Sequence, residues 1–559
     1  MEEISLLDCT VDNLFMHNVE MFPNDLAIIF HSYNIEFSWK ELNDLTDKLA
    51  KALISCDIVR GDHVAIWGTN IPEWILIQYA VQKIGAVLIT VNPELKTSGV
   101  RYVLKQSDTK MLIMMSGFFK HSSSKLYNYS YTEIIKEIIP EIESNSDGNI
   151  DTDILPKLKK IILTNNKHEK GFMDWGSFVK TSSYISNEVL QSMKNSVKNS
   201  DLAFIQYTSG TTGFPKGAML TQHNVINNSY ISYKYKMKVE REVDIICGPI
   251  PFYHCFGSIL LNILGLCSGC LVVVPSDTFD SFKTLEAIDR HNCTAVYGVP
   301  TMFIELLDQY LESKYNIDSL RTGIIAGAPC SKELMEDIIY KLGIDEITIA
   351  YGLTEASPLT HQTDIDDNID KRILTVGKPL PFCESKIVNP ETFKEVKYGS
   401  HGEIWTKGYH VMKGYYNKPE ETNSTIYNGW LRSGDIGYCD NEGYYIISGR
   451  LKEMFIVGGH NIYPSEIENE LCEIFKGEIE QVYAVGVPDI KYQEVCGVVI
   501  KFKEGCRIKD EEFIAKCRDK MEWTKVPRYI KRFDDLSDFM TVTGKIQKFK
   551  LVRIILNNH

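Results

Sequence analysis

The stretch Tyr207-Thr-Ser-Gly-Thr-Thr-Gly-Phe-Pro-Lys-Gly217 comes just after the apolar run Leu202-Ala-Phe-Ile205. The apolar run predicts a buried strand, and the glycines and hydroxyl residues after it predict a loop at the end of that strand. Backbone N–H groups, hydroxyls and the Lys216 ammonium of such a loop can surround phosphate oxygens. A Walker A loop is excluded, because that motif has Gly before its Lys and Ser or Thr after it. Here Pro215 precedes Lys216 and Gly217 follows it, so the stretch predicts a phosphate-binding loop of another kind.

Short apolar runs on both sides of this loop predict further strands. They are Val64–Trp67, Ala86–Val91, Met111–Met114, Ile161–Leu163, Leu271–Val274, Ala295–Tyr297 and Ile324–Ile325. Helical patterns such as Trp74–Ile84 lie between them. Continuous apolar strands that alternate with helices indicate mostly parallel sheets covered on both faces, so the predicted fold class is α/β. Residues 116–157 are rich in Ser, Asn and Lys and are interpreted as a surface excursion.

The pattern changes towards the end of the chain. After about residue 380 it consists of short strands with Gly-rich turns, and from Glu466 helices alternate with strands such as Val495–Phe502. We expect a large domain over residues 1–449, built of parallel-rich sheets covered by helices. A small α+β domain is expected over residues 450–559.

Composition excludes several classes of protein. The chain has 559 residues, 44% apolar and 24% charged, which predicts a folded protein of two or more domains. Its 60 Lys and Arg against 74 Asp and Glu give a net charge of −14, which disfavours nucleic-acid binding. The 14 scattered cysteines favour reduced thiols over a disulfide framework. Cys267 and Cys270 lack the second pair that a zinc finger needs and are interpreted as buried structural residues.

The sequence suggests a cytoplasmic location. The first residues, Met1–Asp8, lack the basic region of a signal peptide, and the last residues carry no peroxisomal or ER-retention signal. Residues 245–276 contain no Asp, Glu, Lys or Arg, but three prolines divide them into short elements. This favours a buried core segment over a transmembrane helix. Peripheral membrane contact and the oligomeric state are left open.

Together with the loop, four further motifs carry a resemblance to a known family. They are Tyr351-Gly-Leu-Thr-Glu355, Gly429-Trp-Leu-Arg-Ser-Gly-Asp-Ile-Gly437, Gly443-Tyr-Tyr-Ile-Ile-Ser-Gly-Arg450 with Gly458-Gly-His-Asn-Ile-Tyr-Pro464, and Thr543-Gly-Lys-Ile-Gln-Lys548. In this order they resemble the AMP-forming, or adenylate-forming, superfamily of acyl-CoA synthetases, aryl-CoA ligases, luciferases and peptide-synthetase adenylation domains. The resemblance implies ATP, Mg²⁺ and the co-substrate coenzyme A.

The resemblance also implies roles in nucleotide binding. Joining a carboxylate to the α-phosphate of ATP brings two anions together, so the site must supply positive charge and a metal ion. Thr354 would contact the α-phosphate, Glu355 would bind Mg²⁺, Asp435 would accept from the ribose hydroxyls and Arg450 would assist beside it. The residues implied to hold the phosphates are Thr208, Ser209, Gly210, Thr211, Thr212, Gly213 and Lys216. Those implied to flank the adenine are Gly327, Ala328, Pro329, Tyr351 and Gly352.

The remaining roles concern catalysis and coenzyme A. By resemblance Lys545 is the catalytic lysine that reaches between carboxylate and α-phosphate, although Asp538-Phe-Met-Thr-Val departs from the usual sequence before it. Lys452 would be the hinge about which the small domain rotates, and Gly458 and Gly459 would line the pantetheine tunnel. His460 stands where many relatives have Glu, so its role is undecided. By resemblance His254 would lie at the aromatic gate of the acyl pocket, although taken alone it is better explained as a core histidine.

The expected activity is an AMP-forming fatty acid–CoA ligase that produces acyl-CoA, AMP and pyrophosphate through an acyl-adenylate. The segment Pro251-Phe-Tyr-His-Cys-Phe-Gly257 looks most like the medium-chain branch, and a medium- or long-chain fatty acid is the expected substrate. An aromatic-acid ligase of the coumarate type is the alternative. A luciferase-like oxygenase and a non-catalytic nucleotide- or acyl-binding protein are more remote. The exact acid and the pathway are left open.

Overall fold

A computed structural model describes residues 4–122, 125–145, 147–165, 168–208, 215–458, 460–503, 505–506, 508–536, 539–540 and 546–556. This part of the chain forms 28 strands and 18 α-helices. The strands are β1 (Leu26–Phe30), β2 (Ile35–Ser38), β3 (His63–Trp67), β4 (Val87–Val91), β5 (Met111–Met114), β6 (Gly117–Ser122), β7 (Lys125–Ser130), β8 (Lys160–Leu163), β9 (Met173–Asp174), β10 (Leu202–Thr208), β11 (Lys216–Thr221), β12 (Ile245–Cys247), β13 (Leu271–Val274), β14 (Ala295–Gly298), β15 (Thr322–Ala326), β16 (Glu346–Gly352), β17 (Leu359–Gln362), β18 (Lys378–Pro379), β19 (Cys383–Val388), β20 (Gly402–Gly408), β21 (Ile426–Tyr427), β22 (Trp430–Cys439), β23 (Tyr445–Arg450), β24 (Phe455–Val457), β25 (His460–Ile462), β26 (Ile479–Asp489), β27 (Gln493–Phe502) and β28 (Tyr529–Arg532). The helices are α1 (Val11–Met21), α2 (Trp39–Ser55), α3 (Pro72–Lys83), α4 (Thr97–Gln106), α5 (Tyr131–Ile138), α6 (Trp175–Lys180), α7 (Asn187–Ser196), α8 (Gln222–Ile231), α9 (Cys255–Gly257), α10 (Leu264–Ser268), α11 (Ser281–His291), α12 (Pro300–Leu311), α13 (Lys332–Leu342), α14 (Ile369–Leu374), α15 (Pro419–Thr425), α16 (Pro464–Ile474), α17 (Asp510–Lys520) and α18 (Lys548–Leu556).

Two large sheets contain all the strands that the apolar runs predict. The nine-stranded sheet has the order β18-β17-β16-β15-β14-β12-β13-β1-β2, and its pairs from β16 through to β1 are parallel. The seven-stranded sheet has the order β11-β10-β4-β3-β5-β8-β9, and all its pairs except β10–β11 are parallel. Helices precede or follow most of these strands. The predicted α/β class is confirmed.

One apolar core joins the two large sheets. It contains Ile28 and Ile246 from the nine-stranded sheet, Val64 and Leu88 from the seven-stranded sheet, and Trp74 from α3. Every residue of α3 except the half-buried Glu73 is buried, as expected for a helix whose side chains are mostly apolar on all faces. Burial of this helix holds the two sheets in a fixed relation.

Two smaller sheets follow in the chain. The third sheet is antiparallel, with the order β19-β20-β22-β21 and β23 added to β22. The fourth sheet has the order β25-β24-β27-β26 with β28 parallel to β27, and it uses only residues from Phe455 onwards. Its own core includes Phe455, Leu471 of α16, Val498 and Phe513 of α17. The C-terminal part is therefore α+β, as expected.

Residues 116–157 differ from the expected surface excursion. They form the hairpin β6–β7 and the helix α5, whose inner face is buried. The fully buried Tyr131 ring stacks on Trp67 with 3.7 Å between ring centroids, and its hydroxyl donates to the Pro93 carbonyl at 2.9 Å. The segment thus supplies part of the core beside the seven-stranded sheet.

The uncharged segment 245–276 is divided as its prolines predict. It contains β12, the short helices α9 and α10, and β13, and most of its residues are buried. Cys270 is fully buried and Cys267 partly so, and all 14 cysteines are free thiols. Among the described residues, no helix is long and apolar enough to cross a membrane.

Candidate active site

The predicted site residues of the large sheet lie at one edge. The parallel strands β12, β14, β15 and β16 end at this edge, because parallel strands share the direction of their carboxyl ends. The segments that follow β12, β15 and β16 contain His254, Gly327 and Thr354-Glu355 respectively. Residues far apart in the chain are thereby brought to a common crevice, where open α/β sheets bind ligands.

Tyr351, Asp435 and Arg450 form a hydrogen-bonded group. The Tyr351 hydroxyl donates to Asp435 Oδ2 at 2.7 Å, and Arg450 Nε lies 3.0 Å from Asp435 Oδ1. Asp435 and Arg450 are opposite each other on β22 and β23, and Asp435 is 4% exposed. Burial, followed by the Asp435 charge, raises the pKa of Tyr351 well above its ordinary value, so the phenol stays a donor. The group connects the nine-stranded sheet to the third sheet.

Two buried histidines lie behind Tyr351. His361 is opposite Tyr351 on β17, with 5.7 Å between their ring centroids, and burial lowers its pKa to about 3. His410 follows β20, its Nδ1 lies 2.9 Å from Cys383 Sγ, and burial lowers its pKa to about 4. Both imidazoles are neutral at physiological pH, and both side chains are part of the buried packing behind Tyr351.

Glu355 and Lys216 both contact Tyr415. The Tyr415 hydroxyl donates to Glu355 Oε1 at 2.6 Å, and Lys216 Nζ lies 4.6 Å from the centre of the Tyr415 ring. Tyr415 is 5% exposed, and burial together with the Glu355 charge raises its pKa above the ordinary value. Sequence reasoning missed this tyrosine, because its partner carboxylate is 60 positions away along the chain.

His254, Cys255 and Thr354 meet at the end of β12. Cys255 Sγ lies 3.6 Å from both His254 Nδ1 and Thr354 Oγ1. The Phe256 backbone N–H donates to His254 Nδ1 at 3.2 Å, so a neutral His254 carries its proton on Nε2. His254 therefore caps α9 and contacts the Thr354 side of the site through Cys255. Cys255 is a second residue that the sequence did not single out.

Three glycines of the predicted site have steric reasons for their identity. Gly327 has φ +89°, and an added Cβ would lie 3.2 Å from Val299 Cγ1. A Cβ on Gly352 would meet the Pro358 carbonyl oxygen at 1.9 Å. Gly458 lies in the turn between β24 and β25 at φ +57°, and a Cβ there would lie 3.1 Å from the Trp523 ring. His460, which follows in β25, also contacts Trp523, with 6.5 Å between ring centroids.

Several predicted residues lie outside the described part of the chain. They are Ser209, Gly210, Thr211, Thr212, Gly213, Gly459 and Lys545. Thr208 and Lys216, at the two ends of the phosphate loop, are opposite each other on β10 and β11. Lys452 is exposed between β23 and β24. Ala328 and Pro329 follow β15 beside Gly327.

The donor set at Glu355 fits a magnesium ion that is bound mainly by substrate. Mg²⁺ commonly takes one or two carboxylates from protein and completes its shell with phosphate oxygens and water. Glu355 supplies one carboxylate, and no cluster of three or more His, Cys, Asp or Glu side chains that could hold a metal occurs among the described residues. Without a nucleotide, this chain therefore has no all-protein metal cage at the described positions.

Comparisons with known proteins agree with this architecture. ATP-bound MatB from Rhodopseudomonas palustris superposes with a TM-score of 0.81 at 25% identity, over 98% of this chain and 99% of that chain. The anthranilate CoA ligase AuaEII in complex with anthranoyl-AMP superposes with a TM-score of 0.82 at 22% identity, over 99% and 98%. The fold is that of the adenylate-forming ligases.

Sequence relatives extend over nearly the whole chain. A family model described as AMP-binding enzyme matches residues 15–416. YngI of Bacillus subtilis, which is named as an acyl-CoA synthetase, is 40% identical over 547 residues. These residues cover 98% of this chain and 97% of YngI. The mitochondrial medium-chain acyl-CoA ligase ACSF2 of Danio rerio is 37% identical over 552 residues, which cover 98% of this chain and 88% of that protein. The chain belongs to the AMP-binding enzyme family.

Proposed function

We propose that this protein is an ATP-dependent, AMP-forming acyl-CoA synthetase. It converts a carboxylic acid, ATP and coenzyme A to acyl-CoA, AMP and pyrophosphate through an acyl-adenylate. The observation that supports this most is the convergence of Thr354-Glu355 with the Tyr351–Asp435–Arg450 group at one sheet edge. Both lie in a chain whose relatives over nearly its full length are named as acyl-CoA synthetases or ligases.

The first half-reaction follows from the charges at this edge. Asp435 accepts hydrogen bonds from the ribose hydroxyls, and Tyr351 and the Gly327 loop flank the adenine. Lys216 and the loop before it bind the phosphates, and Thr354 contacts the α-phosphate. Glu355 would hold Mg²⁺, which when bound offsets the charge of the departing pyrophosphate. Lys545 would enter to balance the charge that develops as the substrate carboxylate attacks.

The second half-reaction needs a different arrangement of the fourth sheet. After pyrophosphate leaves, coenzyme A must reach the acyl carbonyl that Lys545 had approached. Rotation of residues 450–559 about Lys452 would withdraw the lysine and bring Gly458 and Gly459 to the pantetheine path. The exposed position of Lys452 between strands of two different sheets supports this hinge.

A fatty acid is the proposed substrate. The relative from Danio rerio is named a medium-chain ligase. In this chain, the buried apolar residues Phe252 and Phe256 lie two positions before and after His254. His254 itself is proposed as the gate between this apolar side and the phosphate side. A coumarate-type acid stays the second candidate, and a cytoplasmic location stays a prediction.

The test is a pyrophosphate-release screen with ATP, Mg²⁺ and coenzyme A over straight-chain acids from acetate to palmitate, with coumarate included. Turnover should peak within the fatty acids and give the acyl-CoA as product. Turnover confined to coumarate would replace the fatty-acid proposal. Absence of pyrophosphate release with every acid would remove the ligase proposal itself.

A further inference from the structure

Tyr415 touches both charged groups that the proposed function assigns to the triphosphate and its metal. Its hydroxyl donates to Glu355 Oε1 at 2.6 Å, and its ring faces the Lys216 ammonium at 4.6 Å. The proposed reaction steps do not use this residue. Its contacts are to a carboxylate and a cation that belong to two different parts of the site.

The backbone around Tyr415 is attached to both of those parts. The Met412 N–H donates to the Glu355 carbonyl at 2.9 Å. On the other side, the Tyr416 N–H donates to the Gly217 carbonyl at 2.8 Å, and Tyr415 itself forms an antiparallel bridge with Ala218 of β11. The tyrosine is therefore fixed relative to the backbone of Glu355 and to the strand that begins at Lys216.

A lysine and a glutamate in this position would ordinarily attract each other. A direct pair would use up the charge that each needs, because the ammonium has to meet phosphate oxygens and the carboxylate has to meet a cation. Within the described residues no ion pair joins Lys216 to Glu355, although both contact the same ring. A neutral phenol satisfies one oxygen of Glu355 and presents its ring face to the ammonium, so both charges are kept.

We propose that Tyr415 is a positioning residue for the nucleotide and its metal. Its hydroxyl orients the Glu355 carboxylate so that the second oxygen is available to Mg²⁺. Its ring keeps the Lys216 ammonium directed to the phosphates and apart from Glu355. This inference rests on the proposed function, and it concerns a residue that acts through Glu355 and Lys216.

Two substitutions separate the two contacts. Tyr415→Phe removes the hydroxyl and keeps the ring, whereas Tyr415→Leu removes both. Tyr416→Phe is the matched control, because it removes a neighbouring hydroxyl that donates to Asp108 at 2.9 Å, away from both charges. Thermal unfolding of each variant shows whether it is folded.

The affinity for the metal is measured with Mn²⁺ in place of Mg²⁺, by electron paramagnetic resonance in the presence of a non-hydrolysable ATP analogue. Tyr415→Phe should weaken Mn²⁺ binding about tenfold, the loss expected for one hydrogen bond to a charged group. It should raise the Mg²⁺ concentration for half-maximal pyrophosphate release by a similar factor. Tyr415→Leu should in addition raise the KM for ATP at saturating Mg²⁺, and Tyr416→Phe should match the wild type in all three measurements.

The outcomes are distinguishable from those of the proposed function. Wild-type pyrophosphate release with any acid supports the ligase proposal whatever Tyr415 does. An active wild type and a folded Tyr415→Phe variant with the same Mn²⁺ affinity would overturn the role of Tyr415. Equal losses in Tyr415→Phe and Tyr416→Phe would also overturn it, since they would reflect a disturbed loop.

Discussion

Asp435 has both of its carboxylate oxygens engaged before any ligand is considered. Tyr351 donates to one and Arg450 lies beside the other. Each carboxylate oxygen can accept more than one hydrogen bond, so these contacts orient Asp435 and leave acceptor capacity for a diol. The arrangement is a rigid hydrogen-bond acceptor whose position is set by two different sheets.

Replacing Asp435 by Ala should therefore impair nucleotide binding. Loss of hydrogen bonds to a charged group costs about 1.5–3 kcal/mol, which is a rise of about 10- to 100-fold in the KM for ATP. Steady-state kinetics at saturating acid and coenzyme A measure this. Tyr351→Phe keeps the carboxylate and should show a smaller rise. A folded Asp435→Ala variant with an unchanged ATP dependence would exclude Asp435 from the ribose site.

We propose that Gly327 lines the acyl channel as well as flanking the adenine, and a bulky substitution at this position tests that proposal. A leucine there would project towards Val299 and should shorten the preferred acid, at about 0.8 kcal/mol for each excluded methylene. Its left-handed backbone would also lower stability, so a control with the same strain is needed. Gly343 has φ +71° with nothing within 4 Å of an added Cβ. Gly343→Leu should lose stability and keep the chain-length profile. The same profile in Gly327→Leu would place the acyl pocket elsewhere.

Strand β17 and the segment after β20 bury two neutral histidines behind Tyr351. The pKa values of His361 and His410, about 3 and about 4, lie below the ordinary 6.5. Below pH 6.5 these histidines bind protons in the unfolded chain but stay neutral in the folded chain. The free energy of unfolding therefore decreases as the pH falls towards these pKa values. At about pH 5 the free energy of unfolding is lower than at neutral pH by about 2 kcal/mol for each histidine.

His361→Gln removes one of these titrating groups and should reduce the acid-dependent loss. Urea unfolding at about pH 7.5 and about pH 5 gives the free energy of unfolding at both conditions. The difference between the two should be smaller by about 2 kcal/mol in His361→Gln than in the wild type. His168→Gln, at an exposed histidine, should leave the difference unchanged. Identical differences in all three proteins would show that His361 is protonated in the folded state at pH 5.

The elements that the sequence predicted are those whose pattern is local. The run Leu271–Val274 is apolar throughout and is a central parallel strand, since a strand covered on both faces needs no polar alternation. For the segment 116–157 the prediction of a surface excursion is wrong, because the burial of Tyr131 depends on Trp67, which lies far away in the chain. The motifs likewise predicted Glu355 and Lys216 but not Tyr415, whose contacts form only when three segments meet.

The two half-reactions should be separable by mutation, because the proposal assigns them to two arrangements of the large and C-terminal parts of the chain. Lys545→Ala should reduce pyrophosphate formation by about 10²–10³, the usual cost of one electrostatic donor, and still convert supplied acyl-adenylate with coenzyme A. Gly459→Trp should do the reverse, because an indole would block the pantetheine path. Pyrophosphate release measures the first half-reaction. Thioester formation from purified acyl-adenylate and coenzyme A measures the second. Equal loss of both in each folded variant would contradict the two-arrangement proposal.

The link between the third and fourth sheets is short. Only Leu451–Met454 lie between the end of β23 and the start of β24, and the Leu451 N–H donates to the Gly434 carbonyl at 2.9 Å. Four residues reach at most about 14 Å, so the proposed rotation about Lys452 would keep the C-terminal part close to the third sheet. A group tethered this closely has an effective concentration in the millimolar range or above, independent of how dilute the protein is. Arg450 directly precedes this link and lies beside Asp435, so a ribose bound at Asp435 would lie close to the proposed pivot, where rotation displaces atoms least.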